Sequence, residues 1–311
     1  NEKIARKKSK IIPRLIIISG VIVFIVLLSI LVFNFVIKNS EHKASITDLQ
    51  KHWNAYDYES VYNLSNDILI ENPFNNTALT YHGYSAFYLA VSQIDTALSQ
   101  SYLDEAINNM RNALLNAKHS LIPQLEYMLG KAYFYKNTIT SYYYADLAVK
   151  YLVSARKHGY KADDIPEYLG LSYAALGQTM ESISAFTEAL LIRESDTLLL
   201  SIAEQYYKIQ QPSAAKQYLF RIIQNSENDE LIIKSRNLLA NIYIDSQEYS
   251  DAKSEFELIL QKNKNFADAY YGLGVIYEKQ GDLVKARSEW RKALKLQVNH
   301  AGALAKISDY K

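Results

Sequence analysis

Hydrophobic residues form one unbroken run near the start of the chain and a spaced, recurring pattern over the rest. The run covers residues 15–37, LIIISGVIVFIVLLSILVFNFVI, and contains no charged side chain. A helix of this length rises about 1.5 Å per residue and spans a hydrocarbon core of roughly 30 Å. A buried core helix would carry a polar stripe, and a cleaved signal peptide would have a shorter apolar stretch followed by a small-residue cleavage site. We therefore predict an uncleaved transmembrane helix at residues 15–37.

The charges that flank this run predict its orientation. Residues 1–14 contain six Lys and Arg against one Glu, whereas Lys38 and Lys43 follow the run and are offset by Glu41. Because positive flanks stay in the cytoplasm, residues 1–14 are expected to be a basic cytoplasmic segment and residues 38–311 to lie outside. The abundance of Ile, Lys, Asn and Tyr favours an AT-rich bacterial genome. The expected location is the inner membrane, with the large domain in the periplasm.

The spaced pattern recurs at intervals of about 34 residues, and its clearest unit is 267–300, ADAYYGLGVIYEKQGDLVKARSEWRKALKLQVNH. The pattern predicts two antiparallel helices per unit. Gly274 and Ala286 are predicted to lie where the helices approach most closely, with large aromatic residues filling the gaps beside them. Gly281 is predicted to end the first helix in a left-handed conformation, and Asp282 to cap the second.

Seven such units follow from the pattern, and they occupy about residues 42–75, 76–122, 123–162, 163–195, 196–232, 233–266 and 267–300. The first unit lacks the small residue in its first half. The second contains an insertion around Val91–Ser101 that lengthens one helix or the other, and the third has a longer loop near Thr138–Tyr143. Residues 301–311 are predicted to form a capping helix in which Leu304 and Ile307 face the last repeat.

The positions of Tyr270, Gly274, Tyr277, Ala286, Trp290 and Ala293 resemble those of the tetratricopeptide repeat (TPR) family. The resemblance covers nearly all of residues 42–311, and the clearest unit departs from the pattern only at Val298, where Pro is usual. It implies an all-α fold, namely a right-handed TPR superhelical solenoid of antiparallel helix hairpins. With residues 15–37, the solenoid would be preceded by one N-terminal transmembrane helix.

The resemblance also implies that partners bind the concave face, which is lined by the first helix of each hairpin. Carried over by repeat position, the candidate partner-binding residues are Tyr84, Phe87, Tyr127, Lys131, Phe134, Tyr207, Asn237, Asn241 and Tyr271. Two interpretations stay open for the aromatic residues: they are exposed anchors for a partner helix or peptide, or the long insertions fold back over them. The family's clamp for a C-terminal carboxylate is missing, since only Asn237 and Asn241 match it and Gly272 stands where the next Asn is needed.

Motifs for catalysis or metal binding do not occur in the sequence. There is no Cys, no two of the six His have the HExxH spacing, and neither GxSxG nor a phosphate-binding loop is present. His82 occupies a core repeat position and is predicted to be a packed histidine. We predict no enzymatic activity, no cofactor, no metal and no small-molecule substrate. The mildly acidic body, left after the basic N-terminus is set aside, argues against nucleic acid as a partner.

The expected function is a non-catalytic, membrane-anchored TPR scaffold that mediates protein–protein interactions in the periplasm. The layout resembles anchored TPR proteins of spirochaete envelopes, some of which build the periplasmic collar around the flagellar motor. Expected partners are envelope or flagellar motor components, including other TPR proteins. The alternative is a periplasmic chaperone or assembly factor for exported envelope proteins.

Overall fold

The computed structural model describes residues 26–32 and 44–310, and every regular element in these two ranges is an α-helix. Residues 26–32 form α1. The later helices are α2 (Ile46–Asn54), α3 (Tyr58–Glu71), α4 (Asn76–Ser92), α5 (Thr96–Leu115), α6 (Ile122–Ile139), α7 (Ala145–Lys157), α8 (Ile165–Ala175), α9 (Thr179–Ile192), α10 (Asp196–Lys208), α11 (Pro212–Asn225), α12 (Asp229–Asp245), α13 (Tyr249–Lys262), α14 (Ala267–Lys279), α15 (Leu283–Leu296) and α16 (Ala301–Asp309). The predicted all-α class is confirmed for this part of the chain.

The helices from α2 onward pack as consecutive hairpins. Each even-numbered helix packs on the next odd-numbered one, and α16 packs on α15. The first helices of successive hairpins also touch: α2, α4, α6 and α8 contact one another in series, and so do α10, α12 and α14. The first helices therefore form an inner layer and the second helices an outer one, which is the arrangement of a helical solenoid.

Small residues allow the two helices of a hairpin to approach closely. A Cβ atom on Gly274 would lie 2.3 Å from Nε1 of Trp290 and 3.0 Å from the carbonyl oxygen of Ala286. Trp290 is fully buried in this gap. Gly281 follows α14 with a φ of 83°, and the side chain of Asp282 accepts a hydrogen bond from a backbone N–H in the first turn of α15. The predicted roles of these residues in the clearest unit are confirmed.

The divergent regions take forms that the pattern left open. In the second unit, α4 ends at Ser92 and α5 begins at Thr96, so most of the insertion lengthens the second helix. Near Thr138–Tyr143, α6 continues to Ile139, and the side chain of Asn137 accepts a hydrogen bond from the backbone N–H of Tyr144 at the far end of the loop. The sixth hairpin begins with α12 at Asp229, four residues before the predicted boundary at 233.

The closing helix α16 differs from its prediction at one residue. Ile307 packs on the last repeat as expected, together with Ala303 and Tyr310. Leu304, by contrast, is 47% exposed, so its predicted contact with the repeat is wrong. Ala303, Ile307 and Tyr310 are spaced i, i+4, i+7 and share one face of the helix, whereas Leu304 is turned away from that face.

The predicted membrane span at residues 15–37 lies mostly outside the described residues, as does all of the basic segment 1–14. The part that is described, α1, carries exposed Val, Leu and Ile side chains. Within the described ranges, no helix is both long enough and apolar enough to cross a membrane.

Candidate interaction site on the inner layer

Three of the predicted partner-binding residues are buried. Tyr84 is 4% exposed, Phe87 is 2% exposed and Tyr127 is 9% exposed. They cannot act as exposed anchors, and this part of the prediction is wrong. The other interpretation, in which the rings are covered, is correct about their burial. It is wrong in naming the long insertions as the segments that cover them.

The covering side chains come from neighbouring first helices and from an inter-repeat loop. The ring of Tyr84 lies 5.8 Å from that of Trp53 on α2, and Phe87 lies 5.7 Å from Tyr135 on α6. Tyr160, in the loop between α7 and α8, stacks on Tyr127 at 4.7 Å. Most of the insertion in the second repeat forms the first part of α5 and does not cover these rings. These rings are buried within the inner layer because side chains of adjacent repeats pack against them.

Lys131 is held by groups of its own chain. Its ammonium nitrogen lies 5.1 Å from the centre of the Tyr127 ring, 5.0 Å from that of Tyr168 and 6.0 Å from that of Phe87. It also lies 3.0 Å from Oδ2 of Asp164, which accepts a hydrogen bond from the Tyr127 hydroxyl at 2.7 Å. Burial, together with the carboxylate of Asp164, raises the pKa of Tyr127, so this hydroxyl remains a donor. Lys131 therefore joins two repeats and is not free to pair with a partner's carboxylate.

The other predicted residues lie partly exposed on α6, α10, α12 and α14; they are Phe134, Tyr207, Asn237, Asn241 and Tyr271. Phe134 packs edge-on against Tyr168 at 4.9 Å. The hydroxyl of Tyr207 donates to Asp245 at 2.6 Å, and burial with this bond raises the pKa of Tyr207 to about 12. Tyr271 packs against His300 and against Gly302 of the capping helix. Phe134 packs against the same hydrophobic cluster as Tyr84, whereas Tyr207 and Tyr271 pack against separate clusters.

An aromatic cluster that sequence reasoning missed surrounds Trp53. The indole ring lies within 5.5–5.9 Å of the rings of Tyr58, Tyr81, Tyr84 and Tyr88. Apart from Tyr84, these rings are only partly buried. Trp53 belongs to the first repeat, which lacks the small residue that fixes the register elsewhere. The only signal in the sequence was the concentration of aromatic residues from Trp53 to Tyr58.

A cavity of about 390 Å³ opens beside this cluster. Trp53, Tyr81 and Tyr84 form its aromatic side, and residues of α4 and of the α5–α6 connection form its polar side. Tyr84 and Asn76 are among its lining residues. The Tyr84 hydroxyl and Oδ1 of Asn76 are both buried and lack a hydrogen-bond partner among the described residues. The amide nitrogen of Asn76 donates to the carbonyl of Asn116 at 3.3 Å. An unpaired buried polar group costs roughly 1–3 kcal/mol, so a ligand that reached these two atoms would relieve that cost.

The cavity is nearly free of charge. Lys118 is the only charged residue that lines it. The pKa of Tyr84 is raised by burial and by neighbouring tyrosines, so its hydroxyl is a neutral donor. The cavity therefore offers an aromatic wall and a polar side with little charge. These groups suit an uncharged chain segment with an apolar side chain better than they suit an ion.

One further cluster has the composition of a catalytic site but not its accessibility. Nδ1 of His82 lies 2.9 Å from Oγ of Ser65, and its Nε2 lies 3.5 Å from Glu105. Ser65 is fully buried and donates to the carbonyl of Tyr62, so no substrate can reach it. Burial lowers the pKa of His82, against the opposing effect of Glu105. His82 is a packed histidine, as predicted. In the two described ranges, no group of three or more His, Asp and Glu is placed to hold a metal ion.

Comparison with known proteins finds repeat proteins. A family model described as the C-terminal ARM domain of tetratricopeptide repeat protein 21 matches residues 155–305. The uncharacterized protein ycf37 of Pyropia yezoensis is 34% identical over 105 residues, which are 33% of this chain and 58% of that protein. This chain thus spans less than two thirds of the length of that relative.

Two solved structures have a similar fold. The C-terminal part of a TPR repeat-containing protein from Cytophaga hutchinsonii aligns with a TM-score of 0.59 and 13% identity, covering 84% of this chain and 99% of that one. A TPR protein from Parabacteroides merdae aligns with a TM-score of 0.50 and 16% identity, covering 85% of this chain and 96% of that one. At sequence identities this low, the two structures are evidence for the fold alone. The described part of the chain is therefore an all-helical solenoid with TPR-like structural neighbours.

Proposed function

We propose that this protein is a non-catalytic scaffold that holds an extended, uncharged segment of a partner protein in the cavity between α2 and α4. The observation that carries the proposal is the cavity itself, two of whose lining residues carry unpartnered buried atoms, the Tyr84 hydroxyl and Oδ1 of Asn76, which a partner would reach by displacing the side chains over them. A peptide backbone supplies both complements, since its carbonyl accepts from the hydroxyl and its N–H donates to the amide oxygen.

The aromatic wall supplies the remaining binding energy. An apolar side chain of the partner would lie against Trp53 and Tyr81. Buried aromatic contacts of this kind dominate the energetics of protein interfaces. The site lies on packed helices, so little conformational entropy is lost when a partner binds.

The proposed location is the bacterial inner membrane, with residues 15–37 as the anchor and the solenoid in the periplasm. This location is supported by the uncharged 23-residue run and by the basic residues before it. An anchor would raise the effective concentration of the scaffold near other membrane-bound partners. Within this frame we propose an envelope complex as the setting, such as the flagellar motor collar of a spirochaete. That last assignment rests on the resemblance in layout.

The second candidate function is a periplasmic chaperone or assembly factor for exported envelope proteins. The near absence of charge in the cavity favours it, because a neutral aromatic site accepts many unfolded segments. The two functions differ in stoichiometry. A scaffold holds a defined set of proteins in fixed ratio, whereas a chaperone holds many clients, each in small amount.

A photo-crosslinking residue at position 81 of the full chain tests the proposal in intact cells. Tyr81 is partly exposed at the cavity, and Phe220 on the outer helix α11 offers a matched aromatic position elsewhere. The scaffold predicts one or a few discrete adducts at position 81, which are absent at position 220 and are weakened when Asn76→Ala is added. A broad spread of exported proteins at position 81 would favour the chaperone. Equal adduct yields at positions 81 and 220 would show that the cavity is not the specific binding site.

A further inference from the structure

The second helices of the first and last repeats carry opposite charge. Both α3 and α15 contain 14 residues. The acidic residues of α3 are Glu59, Asp67 and Glu71, and it has no Lys or Arg. The basic residues of α15 are Lys285, Arg287, Arg291, Lys292 and Lys295, against one Glu. The two ends of the solenoid are therefore electrostatically complementary.

Each helix contains an exposed stripe, and the two stripes have matching spacing. The stripe of α3 consists of Glu59, Asn63, Asn66, Asp67 and Ile70, and Glu71 beside it is also exposed. The stripe of α15, read from its C-terminal end, consists of Lys295, Arg291, Ser288, Arg287 and Val284; Leu283, Lys285, Lys292 and Leu296 are exposed as well. Both sets follow the spacing i, i+4, i+7, i+8, i+11 along the direction in which they are read, which places each set on one side of its helix.

When the helices are set antiparallel, one register aligns the five positions of the two stripes. Glu59 then lies opposite Lys295, and Asp67 lies opposite Arg287. Ile70, which is 73% exposed, lies opposite Val284, which is 82% exposed. The remaining positions, Asn63 with Arg291 and Asn66 with Ser288, are polar. This register joins unlike charges and buries two exposed apolar side chains against each other.

Four of the charges on these stripes have no ion-pair partner within the described part of one copy, whereas Arg287 donates to the carbonyl of Tyr310. Cations on other outer helices pair with a carboxylate of a neighbouring repeat, as Arg156 does with Glu188 and Lys216 with Glu248. Among the described residues, Glu59, Asp67, Arg291 and Lys295 form no such pair. Arg287, Arg291 and Lys295 also repeat at i, i+4, a spacing at which like charges destabilise a helix.

We propose that α3 of one copy of this chain binds α15 of a second copy in this antiparallel register. The contact is heterologous and leaves the opposite end of each copy free, so it generates head-to-tail chains. A single helix pair is a small interface, and the association is accordingly weak and sensitive to salt. Copies anchored in one membrane would be brought to the concentrations at which such a contact forms. The contact does not involve the cavity at Trp53 and is independent of the proposed partner binding there.

Charge reversal tests the pairing on the full chain in detergent, by sedimentation velocity. The wild type is expected to associate at about 50 mM NaCl and to dissociate at about 500 mM, where charges are screened within a few ångströms. Glu59→Lys with Asp67→Lys, and Arg287→Glu with Lys295→Glu, should each weaken self-association about tenfold or more. A mixture of the two double variants should associate again, because each supplies the opposite end to the other. Lys253→Glu with Lys262→Glu, which reverses two cations on α13, is the matched control and should not change the association.

Cysteine crosslinking tests the register, and the chain contains no other Cys. Full chains with Ile70→Cys and with Val284→Cys are mixed in membranes and treated with a short bismaleimide. We expect a covalent dimer from this mixture, and little from Ile70→Cys mixed with Leu191→Cys, a position that is 86% exposed. Equal dimer yields in the two mixtures would overturn the register. Monomeric wild type at low salt, or no recovery in the mixed reversal variants, would overturn the contact itself.

Discussion

The same chemical change at two buried tyrosines should have opposite effects on stability. Tyr84→Phe removes a hydroxyl that is buried and has no hydrogen-bond partner within the described part of the chain. Tyr127→Phe removes a hydroxyl that donates to Asp164 at 2.7 Å. Both rings are at most 9% exposed, so the two variants differ chiefly in what the hydroxyl contacts.

The expected magnitudes follow from these contacts. An unpaired buried hydroxyl costs roughly 1–3 kcal/mol of stability. Removing the oxygen relieves this cost but leaves a small cavity, which offsets part of the gain. Tyr84→Phe should therefore raise local stability by about 1 kcal/mol. A hydrogen bond to a charged group contributes roughly 1.5–3 kcal/mol. Asp164 keeps its contact with Lys131, so Tyr127→Phe should lower local stability by about 1–2 kcal/mol.

Hydrogen exchange of the α4 and α6 amides, followed by mass spectrometry, measures both effects where they arise. Local measurement is needed because a repeat array does not unfold as one two-state unit. Exchange should slow in α4 of Tyr84→Phe and accelerate in α6 of Tyr127→Phe. Tyr142→Phe, at a residue that is 72% exposed, serves as the control and should change neither. If Tyr84→Phe accelerated exchange as much as Tyr127→Phe, the Tyr84 hydroxyl would have a partner and the argument for the cavity would lose its basis.

Three further predictions concern the scaffold. Gly274→Ala places a methyl group 2.3 Å from Trp290 and should lower the local stability of α14 by roughly 1–3 kcal/mol in hydrogen exchange, since a filled core resists added volume. Asn228 caps α12 by accepting two backbone N–H bonds, so Asn228→Ala should lower the local stability of α12 by about 1 kcal/mol in the same assay, and unchanged exchange would contradict its role. The pKa of His82 is lowered from its ordinary value of 6.5 by burial, so the unfolded chain binds the proton more tightly. The contribution of neutral His82 to the free energy of unfolding should be complete above pH 6.5 and should decline as the pH falls below that value. His82→Gln should therefore reduce the pH dependence of thermal unfolding measured from about pH 7 to pH 5.

The inner-layer site shows where sequence reasoning stops. Repeat position correctly placed Tyr84, Phe87 and Tyr127 on first helices, but it could not give their exposure. That quantity depends on Trp53 in the preceding repeat and on Tyr160 in the α7–α8 loop, which lie 31 residues before Tyr84 and 33 after Tyr127 along the chain. The cavity at Trp53 was missed for a related reason, because the first repeat lacks the small residue that fixes the register of the others.

The sequence by itself determined the helix hairpins and the residues that shape them. Apolar spacing, Gly274 at the close approach and Gly281 with Asp282 at the turn act within one repeat, so a 34-residue window contains all the information they need. Only the tertiary structure decided which aromatic rings are buried and which are partly exposed, and that Lys131 is held by groups of its own chain. It also decided which buried polar atoms lack a hydrogen-bond partner. These outcomes depend on distances between residues of different repeats, and the pattern of a single repeat carries no record of those distances.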